Sequence, residues 1–275
     1  CSFCTIPLAR GNSRSATVNQ AVAIAEKIAA EGVRELVLTG VNVGNFGILN
    51  GETLIDLIRE LEKVEGIHRY RISSIEPNLL TNEIICFMAE SEKFLPHFHI
   101  PLQSGSNKIL KAMRRRYQTD LFAERIYTVK SIFPDAGIGV DVIVGFPGES
   151  DKDFQQTYNF LETIDVSYLH VFSFSERDHT DAVNISPKVK PETILERSQI
   201  LQGLSSEKKN KFYKQNVGSV RKVLIESCEK ELLSGLTENY IRMHTAGTPE
   251  EVNTIIPLQM QYIQGEVMRG TRSVD

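Results

Sequence analysis

Nowhere in its 275 residues does the sequence hold a run of about 18 apolar residues, so no stretch of it suits a membrane-crossing helix. Cysteine is scarce. Cys1, Cys4, Cys86 and Cys228 are the four, one close pair and two isolated thiols. That pattern does not make a disulfide framework and fits a reducing compartment, so a cytoplasmic protein is expected. A second Cys-x-x-Cys is missing, as is any His-x3–5-His; the nearest histidine pair is His97-x-His99. A structural zinc site built on Cys1 and Cys4 would be short of ligands. Positive charge is not in excess either. Lys and Arg total 31 against 35 Asp and Glu, a net charge of −4, so a nucleic-acid partner would have to be met by local basic patches. Gly40, Gly44 and Gly47 do not have dinucleotide-fingerprint spacing. The first residue is not Met, so the sequence is expected to begin inside a longer chain, and the lack of a signal peptide at its start excludes none upstream.

What is present supports a folded core. Apolar residues make up 41% and charged residues 24%, an ordinary globular balance. The stretch that organises the rest is Cys1-Ser2-Phe3-Cys4-Thr5-Ile6-Pro7-Leu8-Ala9-Arg10-Gly11. Two cysteines three apart can hold one soft metal centre, and Pro7 and Gly11 predict a loop after them. On spacing alone a zinc half-site, a redox pair and an iron–sulfur cluster all stay open.

After this loop, strands and helices alternate. Ser15 or Thr17 caps a helix ended by Gly32, and 35–39 reads as a buried strand. Thr53 opens a helix with Leu54, Leu57, Ile58, Leu61 and Val64 on one face, followed by a strand at 70–75. Helices are predicted at 81–90, 119–133 and 150–163, and extended segments at 98–102, 138–144 and 167–174. This order predicts a parallel sheet with right-handed crossovers, whose ligands gather beyond the strand C-terminal ends. Four such ends are polar and glycine-rich: Thr39 to Asn42, Ser73 to Pro77, Gln103 to Ser106 and Gly145 to Glu149. Prolines 187 and 191 bracket a linker, and a polar helix runs from Glu192 to about Gln215. From Val217 onward the period drops to two, with strands expected at 221–226, 236–243 and 255–267 of a small β-barrel. A piece of about 60 residues buries too little surface to stand alone and should lean on the main domain.

Several of these stretches together resemble the radical S-adenosylmethionine methylthiotransferases. They are Cys1-x2-Cys4-x2-Pro7-x2-Arg10-Gly11, Leu38 to Asn42, His99-Ile100-Pro101-Leu102-Gln103-Ser104-Gly105-Ser106, Met113-Arg114-Arg115-x-Tyr117 and Asp141-x-Ile143 to Glu149. Arg71 to Pro77 and Gly235 to Tyr240 look most like the branch acting on threonylcarbamoyladenosine beside the tRNA anticodon. The branches acting on isopentenyladenosine and on a ribosomal-protein aspartate are close relatives. A protein that only binds RNA is the rival of a different class. One departure is Glu176 to Thr180, where relatives often show Arg-x-Gly-Thr.

The resemblance implies an α/β fold: a partial, open TIM-like parallel β/α barrel of radical SAM type over 1–190, lacking its first strand, a linker helix at 191–216 and an all-β TRAM-like RNA-binding barrel at 217–275. It implies that Cys1 and Cys4 are two of three thiolates on a [4Fe-4S] cluster, the third preceding Cys1. This stretch alone would then hold the cluster poorly and be inactive. S-adenosylmethionine would bind the open iron and yield a 5′-deoxyadenosyl radical, with contacts from Gly40, Asn42, Glu76, Gln103, Ser104, Asp141, Gly145, Phe146 and Pro147. A second [4Fe-4S] cluster is expected in an N-terminal domain outside these residues. The implied partners are tRNA and an electron donor such as flavodoxin or ferredoxin. Arg114, Arg115, Lys208, Lys209 and Lys211 are candidate phosphate contacts, against the plain reading of solvated helix faces. Glu76 has the rival reading of a helix cap, and His99 that of a satisfied core histidine.

Overall fold

The computed structural model describes residues 1–273. Its first part alternates β1 (Glu35–Leu38), β2 (Arg69–Ile72), β3 (His97–His99), β4 (Gly137–Val144) and β5 (Tyr168–Ser173) with helices. These helices are α1 (Ile6–Arg10), α2 (Val18–Ala30), α3 (Leu54–Glu62), α4 (Asn82–Glu90), α5 (Asn107–Ala112), α6 (Thr119–Ile132) and α7 (Asp151–Thr163). Local chemistry sets the helix starts. Thr17 with Gln20, Thr53 with Asp56 and Ser150 with Asp153 each form a reciprocal capping box, which satisfies backbone N–H groups that the first turn leaves free.

All five strands run parallel, but hydrogen bonding divides them into β1–β2 and β3–β4–β5. The division follows from β3, three residues long with Pro96 and Pro101 on either side, since proline donates nothing to a ladder. Tyr70 bridges the gap: its N–H donates to the Lys93 carbonyl at 2.8 Å, and its carbonyl accepts from Leu95 at 3.0 Å.

Alternation gives the sheet two unlike faces. Leu36, Tyr70, Ile72, Phe98, Ile138, Val140, Val142, Leu169 and Val171 pack with the helices in one continuous core. The opposite, concave face carries Glu35, Arg69, Arg71, His97, His99, Asp141, Tyr168 and His170. These residues meet one another across the strands: Arg71 with Glu35 at 3.1 Å, His97 with Tyr168 at 2.8 Å and His99 with Asp141 at 2.8 Å.

Helix α8 (Pro191–Asn216) lies along β5 and leads into a closed barrel. The barrel strands are β6 (Val220–Glu229), β7 (Leu232–Thr237), β8 (Arg242–Ala246), β9 (Ile255–Gln264) and β10 (Val267–Arg272). Its β7–β8 turn seats against the N-terminal ends of the parallel strands. Arg69 donates to the carbonyls of Leu236 and Lys222 at 3.3 and 2.7 Å, and Arg71 to those of Glu238 and Thr237 at 3.1 and 3.2 Å. Asn239 is fully buried and donates to the Asp135 carbonyl at 2.9 Å. Tyr240 stacks on His97 at 4.1 Å. Gly137 is required here, because a Cβ would come within 2.2 Å of the Asn239 carbonyl oxygen.

Four sequence expectations change. The loop expected after Cys4 contains α1, with Pro7 in its first turn and Gly11 closing it at φ 71°; proline is well suited to a first turn because its missing N–H would be unpaired anyway. Helix α5 was not expected; only Ile109 and Leu110 are buried on it, too few to give a period. The expected strand 236–243 is broken by the turn at Tyr240, whose φ is 70°. The expected strand 255–267 is a hairpin turning at Gly265, φ 62°.

Candidate functional site

Cys1 and Cys4 flank the most firmly held residue of the opening stretch. Ser2 is 1% exposed. Its N–H donates to the Met113 carbonyl at 3.1 Å and its hydroxyl to the Ala112 carbonyl at 2.7 Å, while its own carbonyl accepts from Ala182 N–H at 2.9 Å. Phe3 packs edge-on against Phe146, centroids 6.0 Å apart. Met113 follows the loop leaving β3, and Phe146 the loop leaving β4, so the thiols sit over the C-terminal ends of the parallel strands. Both are free; Cys1 is exposed and Cys4 partly so. No group of three or more His, Cys, Asp or Glu side chains placed for a metal occurs among the described residues.

Beside this loop, Gly40 and Asn42 join Pro7, Arg10 and Arg14 in lining a cavity of about 660 Å³. Its floor is apolar, from Ile24, Ile28, Leu36 and Leu38. The Oδ1 of Asn42 is buried and has no hydrogen-bond partner. A buried orphan acceptor costs about 1–3 kcal/mol, and a ligand N–H in the cavity would remove that cost. Two free thiols on a bolted loop, followed by Pro7 and Arg10 in the wall of a cavity that holds an orphan acceptor, fit two of the three implied cluster ligands and a neighbouring nucleotide.

Under the loop lies a charged layer. Arg115 donates to Glu76 at 2.8 Å and stacks over Phe3 and Tyr117, at 5.6 and 5.9 Å from their ring centroids. The Tyr117 hydroxyl donates to the Pro101 carbonyl at 2.7 Å, and burial pushes its pKa up. Arg115 therefore leaves the set of phosphate contacts expected from sequence: its side chain is 9% exposed and its charge faces Glu76. Glu76 is likewise committed to Arg115 and does not cap α4, which Thr81 caps.

Deeper in, Gln103 has φ 70°, the left-handed region, and is buried. Its N–H donates to the Asp141 carbonyl at 2.8 Å and its carbonyl accepts from Ile143 at 2.9 Å. A non-glycine residue held there costs of order 1–3 kcal/mol, and such strain clusters at functional sites. Asp141 accepts from His99 Nε2 at 2.8 Å, and His170 meets His99 edge-on, 5.1 Å away. Burial, helped by His99 and opposed by Asp141, holds His170 below its usual pKa. His99 is thus a paired histidine of the concave face.

Other expected contacts serve the scaffold. The Ser104 hydroxyl lies 3.3 Å from that of Thr157 and accepts from Ser106 N–H at 3.2 Å, so it points into α7 and leaves the cofactor set. Gly145, φ 79°, is required because a Cβ would strike Ile194 at 2.4 Å. Pro147 is enclosed in the same turn, which Glu149 closes by accepting from Gly145 N–H at 3.2 Å and from buried Arg197 at 2.5 Å. Of this turn, Phe146 packs against the thiol loop through Phe3. Arg114 pairs with Asp181 at 2.5 Å, both exposed. Lys208 donates to the carbonyls of Glu162 and Ile164 at the end of α7, a helix-capping use that removes it from the phosphate set. Burial, and next Lys211, lower its pKa. Lys209 reaches Glu266 at 3.0 Å, and Lys211 is exposed.

Sequence reasoning missed Ser2, Arg69, Tyr168 and His170, and met Arg71 only as part of a branch-marking stretch. The signal was present in Arg69-x-Arg71 and Tyr168-x-His170: parallel strands covered on both faces read as continuous apolar runs, so polar alternation there marks an inward face with work to do.

Residues 1–161 match the family model described as the radical SAM superfamily. The chain is 41% identical over 251 residues to the threonylcarbamoyladenosine tRNA methylthiotransferase MtaB of Aquifex aeolicus, covering 91% of this chain and 60% of that protein. It is 32% identical over 265 residues to the tRNA-2-methylthio-N(6)-dimethylallyladenosine synthase of Natranaerobius thermophilus, covering 94% of this chain and 59% of that protein. It thus spans about three-fifths of the length of these relatives. In structure it is similar to the radical S-adenosylmethionine methyltransferase TsrM from Kitasatospora setae, solved with cobalamin and a [4Fe-4S] cluster bound. The TM-score is 0.54 at 13% identity, over 85% of this chain and 39% of that one; the likeness is one of fold.

Proposed function

The chain belongs to the radical SAM superfamily, and from that premise we propose that it is the catalytic part of a methylthiotransferase that adds a methylthio group to C2 of N6-threonylcarbamoyladenosine in tRNA. The observation that carries this reading is the bolted loop: Ser2 fixes two free thiols over the C-terminal ends of the strands, beside the cavity of Gly40 and Asn42. Cys1 and Cys4 would hold a [4Fe-4S] cluster, which when bound and reduced supplies one-electron chemistry on S-adenosylmethionine. In this proposal the remaining thiolate, and a second cluster as sulfur source, come from residues outside this sequence.

The chain's own residues do the rest. Asn42 Oδ1 accepts an N–H of the bound nucleotide, and Gly40 lets backbone approach it closely. The Glu76–Arg115 pair fixes Phe3 and the loop from beneath. Gln103 and Asp141 serve the S-adenosylmethionine side of the site, with His99 orienting the Asp141 carboxylate. Lys211 and the closed barrel, strands β6 to β10, meet the tRNA backbone, with Lys209 and Arg114 once their carboxylate partners release them. Flavodoxin or ferredoxin is the electron donor in this scheme, and the cytoplasm its place. A polar concave face with His99, His170 and Asp141 suits a polar substituent such as threonylcarbamoyl better than an apolar dimethylallyl group.

The test is mass spectrometry of tRNA from cells making the full-length protein, or its Cys4→Ser form, in a background without it. Methylthio-threonylcarbamoyladenosine restored by the first and absent with the second is the expected result. A gain of methylthio-dimethylallyladenosine instead would move the substrate to the other branch, and unchanged tRNA would overturn the reading.

A further inference from the structure

Two side chains of β5, His170 and Phe172, are exposed on the concave face and take no part in holding the scaffold together. We propose that Phe172 is the ring on which the target adenine stacks, and that His170, one step deeper, reads the group on N6 by hydrogen bonding. The inference rests on the function proposed above and names the residues that select its substrate.

Strand alternation places the pair. Leu169 and Val171 enter the core behind the sheet, so Tyr168, His170 and Phe172 face the concave side. Neighbouring rings are already taken. Tyr168 hydrogen-bonds His97, Phe174 meets Phe146 edge-on at 5.3 Å, and Phe146 meets Phe3 at 6.0 Å. Phe172 enters none of these pairs and is 50% exposed. Ile143, in register with it on β4, packs with Phe174 into the small cluster of Met113 and Phe146 beneath the thiol loop. Phe172 stands beside that cluster and outside it, so its free face opens next to the support of the thiols. A concave wall receives one extruded base more readily than a helix or a strand, and an extruded base is gripped by stacking on apolar rings.

His170 lies about 7 Å further from the thiol end along the strand, in register with Asp141. His99 holds the Asp141 carboxylate at 2.8 Å. His170 touches its neighbours through ring contacts, His99 edge-on at 5.1 Å and Tyr168 tilted at 5.3 Å, and has no hydrogen-bond partner among the described residues. The geometry of adenine then sets the orientation. C2 and C6 stand on either side of N1, so a base that points C2 at the thiol loop carries its N6 group away from that loop, toward His170. Imidazole donates and accepts hydrogen bonds. A threonylcarbamoyl group answers with carbonyls, N–H groups and a hydroxyl; a dimethylallyl group has none of these. A site built to hydrogen-bond a substrate group rejects the analogue lacking it, because its own polar atoms are left unpaired.

The experiment is fluorescence anisotropy of the full-length protein, without reconstituted cluster, on anticodon stem-loops carrying N6-threonylcarbamoyladenosine or N6-dimethylallyladenosine. The parent should prefer the first. Phe172→Leu should weaken both stem-loops roughly tenfold, as loss of one base–ring stack does, and Phe172→Tyr should restore them. His170→Leu should weaken the first stem-loop alone and abolish the preference, and His170→Gln should keep part of it. Both side chains are exposed, so these changes leave the core intact. Equal or reversed preference in the parent, affinity unchanged by Phe172→Leu, or a preference that survives His170→Leu would each overturn the proposal. Methylthio product formed by the reconstituted proteins separates the two readings. A parent that binds as expected and forms no product overturns the methylthiotransferase reading alone. Product formed equally well, with equal KM, by the parent, Phe172→Leu and His170→Leu overturns this proposal alone.

Discussion

At the residue scale, side chains with no role in ordinary folding stand out most. Gln103 keeps a left-handed backbone although glycine would fit it more easily. Gln103→Gly should change stability by no more than about 1 kcal/mol, because relief of strain offsets added chain entropy. Radical formation by the full-length enzyme should fall by at least roughly tenfold, a loss of about 1.4 kcal/mol of transition-state stabilisation. Thermal melts and a deoxyadenosine assay separate the two effects; a large stability change with intact activity would make Gln103 structural. His97 gives a pH prediction. Burial, helped by the charges of Arg71 and the neighbouring histidines, lowers its pKa well below 6.5. The unfolded chain then binds the proton more readily, so this stability is complete above about pH 6.5 and is lost as the pH falls, by up to about 1.4 kcal/mol per unit. Urea melts between pH 7 and 5 should show that slope, and His97→Gln should flatten it. Nothing in the sequence around His97 announced this burial: its partners Tyr168 and Tyr240 are 71 and 143 positions away.

At the scale of elements, the turn between β4 and α7 shows motif and scaffold sharing residues. Gly145 to Glu149 reads as a ligand loop in the sequence, yet Gly145 makes room for Ile194 and Glu149 holds Arg197. Arg197→Met should cost about 3–5 kcal/mol, since it leaves the Glu149 carboxylate buried without its partner. Glu149→Gln combined with Arg197→Met should recover most of that loss, and a double-mutant cycle on chemical melts measures it. Additive losses would mean that the pair is not coupled. Legibility at this scale followed the length of the period. Strands β1, β2, β4 and β5 and helices α2, α3, α4, α6 and α7 all announced themselves by caps and apolar spacing. Helices α1 and α5 are too short to show a period, and two of the three barrel hairpins hid because Tyr240 and Gly265 interrupt runs that otherwise alternate without a break.

For the whole molecule, the two ends of the parallel sheet are given different work. The C-terminal ends carry the thiols and the large cavity; the N-terminal ends are covered by the closed barrel through Arg69, Arg71 and Asn239. That division could not be read from the sequence, because Arg71 and Glu238 are 167 positions apart and nothing local marks them as partners. Arg71→Met should lower stability by about 3 kcal/mol or more, since Glu35 loses its closest buried partner. Limited proteolysis should then cut first near α8, releasing the closed barrel; a variant as protected as the parent would show that the seam is not what joins the two parts.

The central claim is that the Cys1–Cys4 loop holds a redox cluster over the open end of the sheet. It is tested most directly by anaerobic reconstitution of the full-length protein and of its Cys1→Ser and Cys4→Ser forms, followed by electron paramagnetic resonance of the reduced samples with and without S-adenosylmethionine. The parent should give a [4Fe-4S] signal that shifts when S-adenosylmethionine is added, and both variants should lose that shifting component. An unchanged, S-adenosylmethionine-responsive signal in either variant would contradict the account.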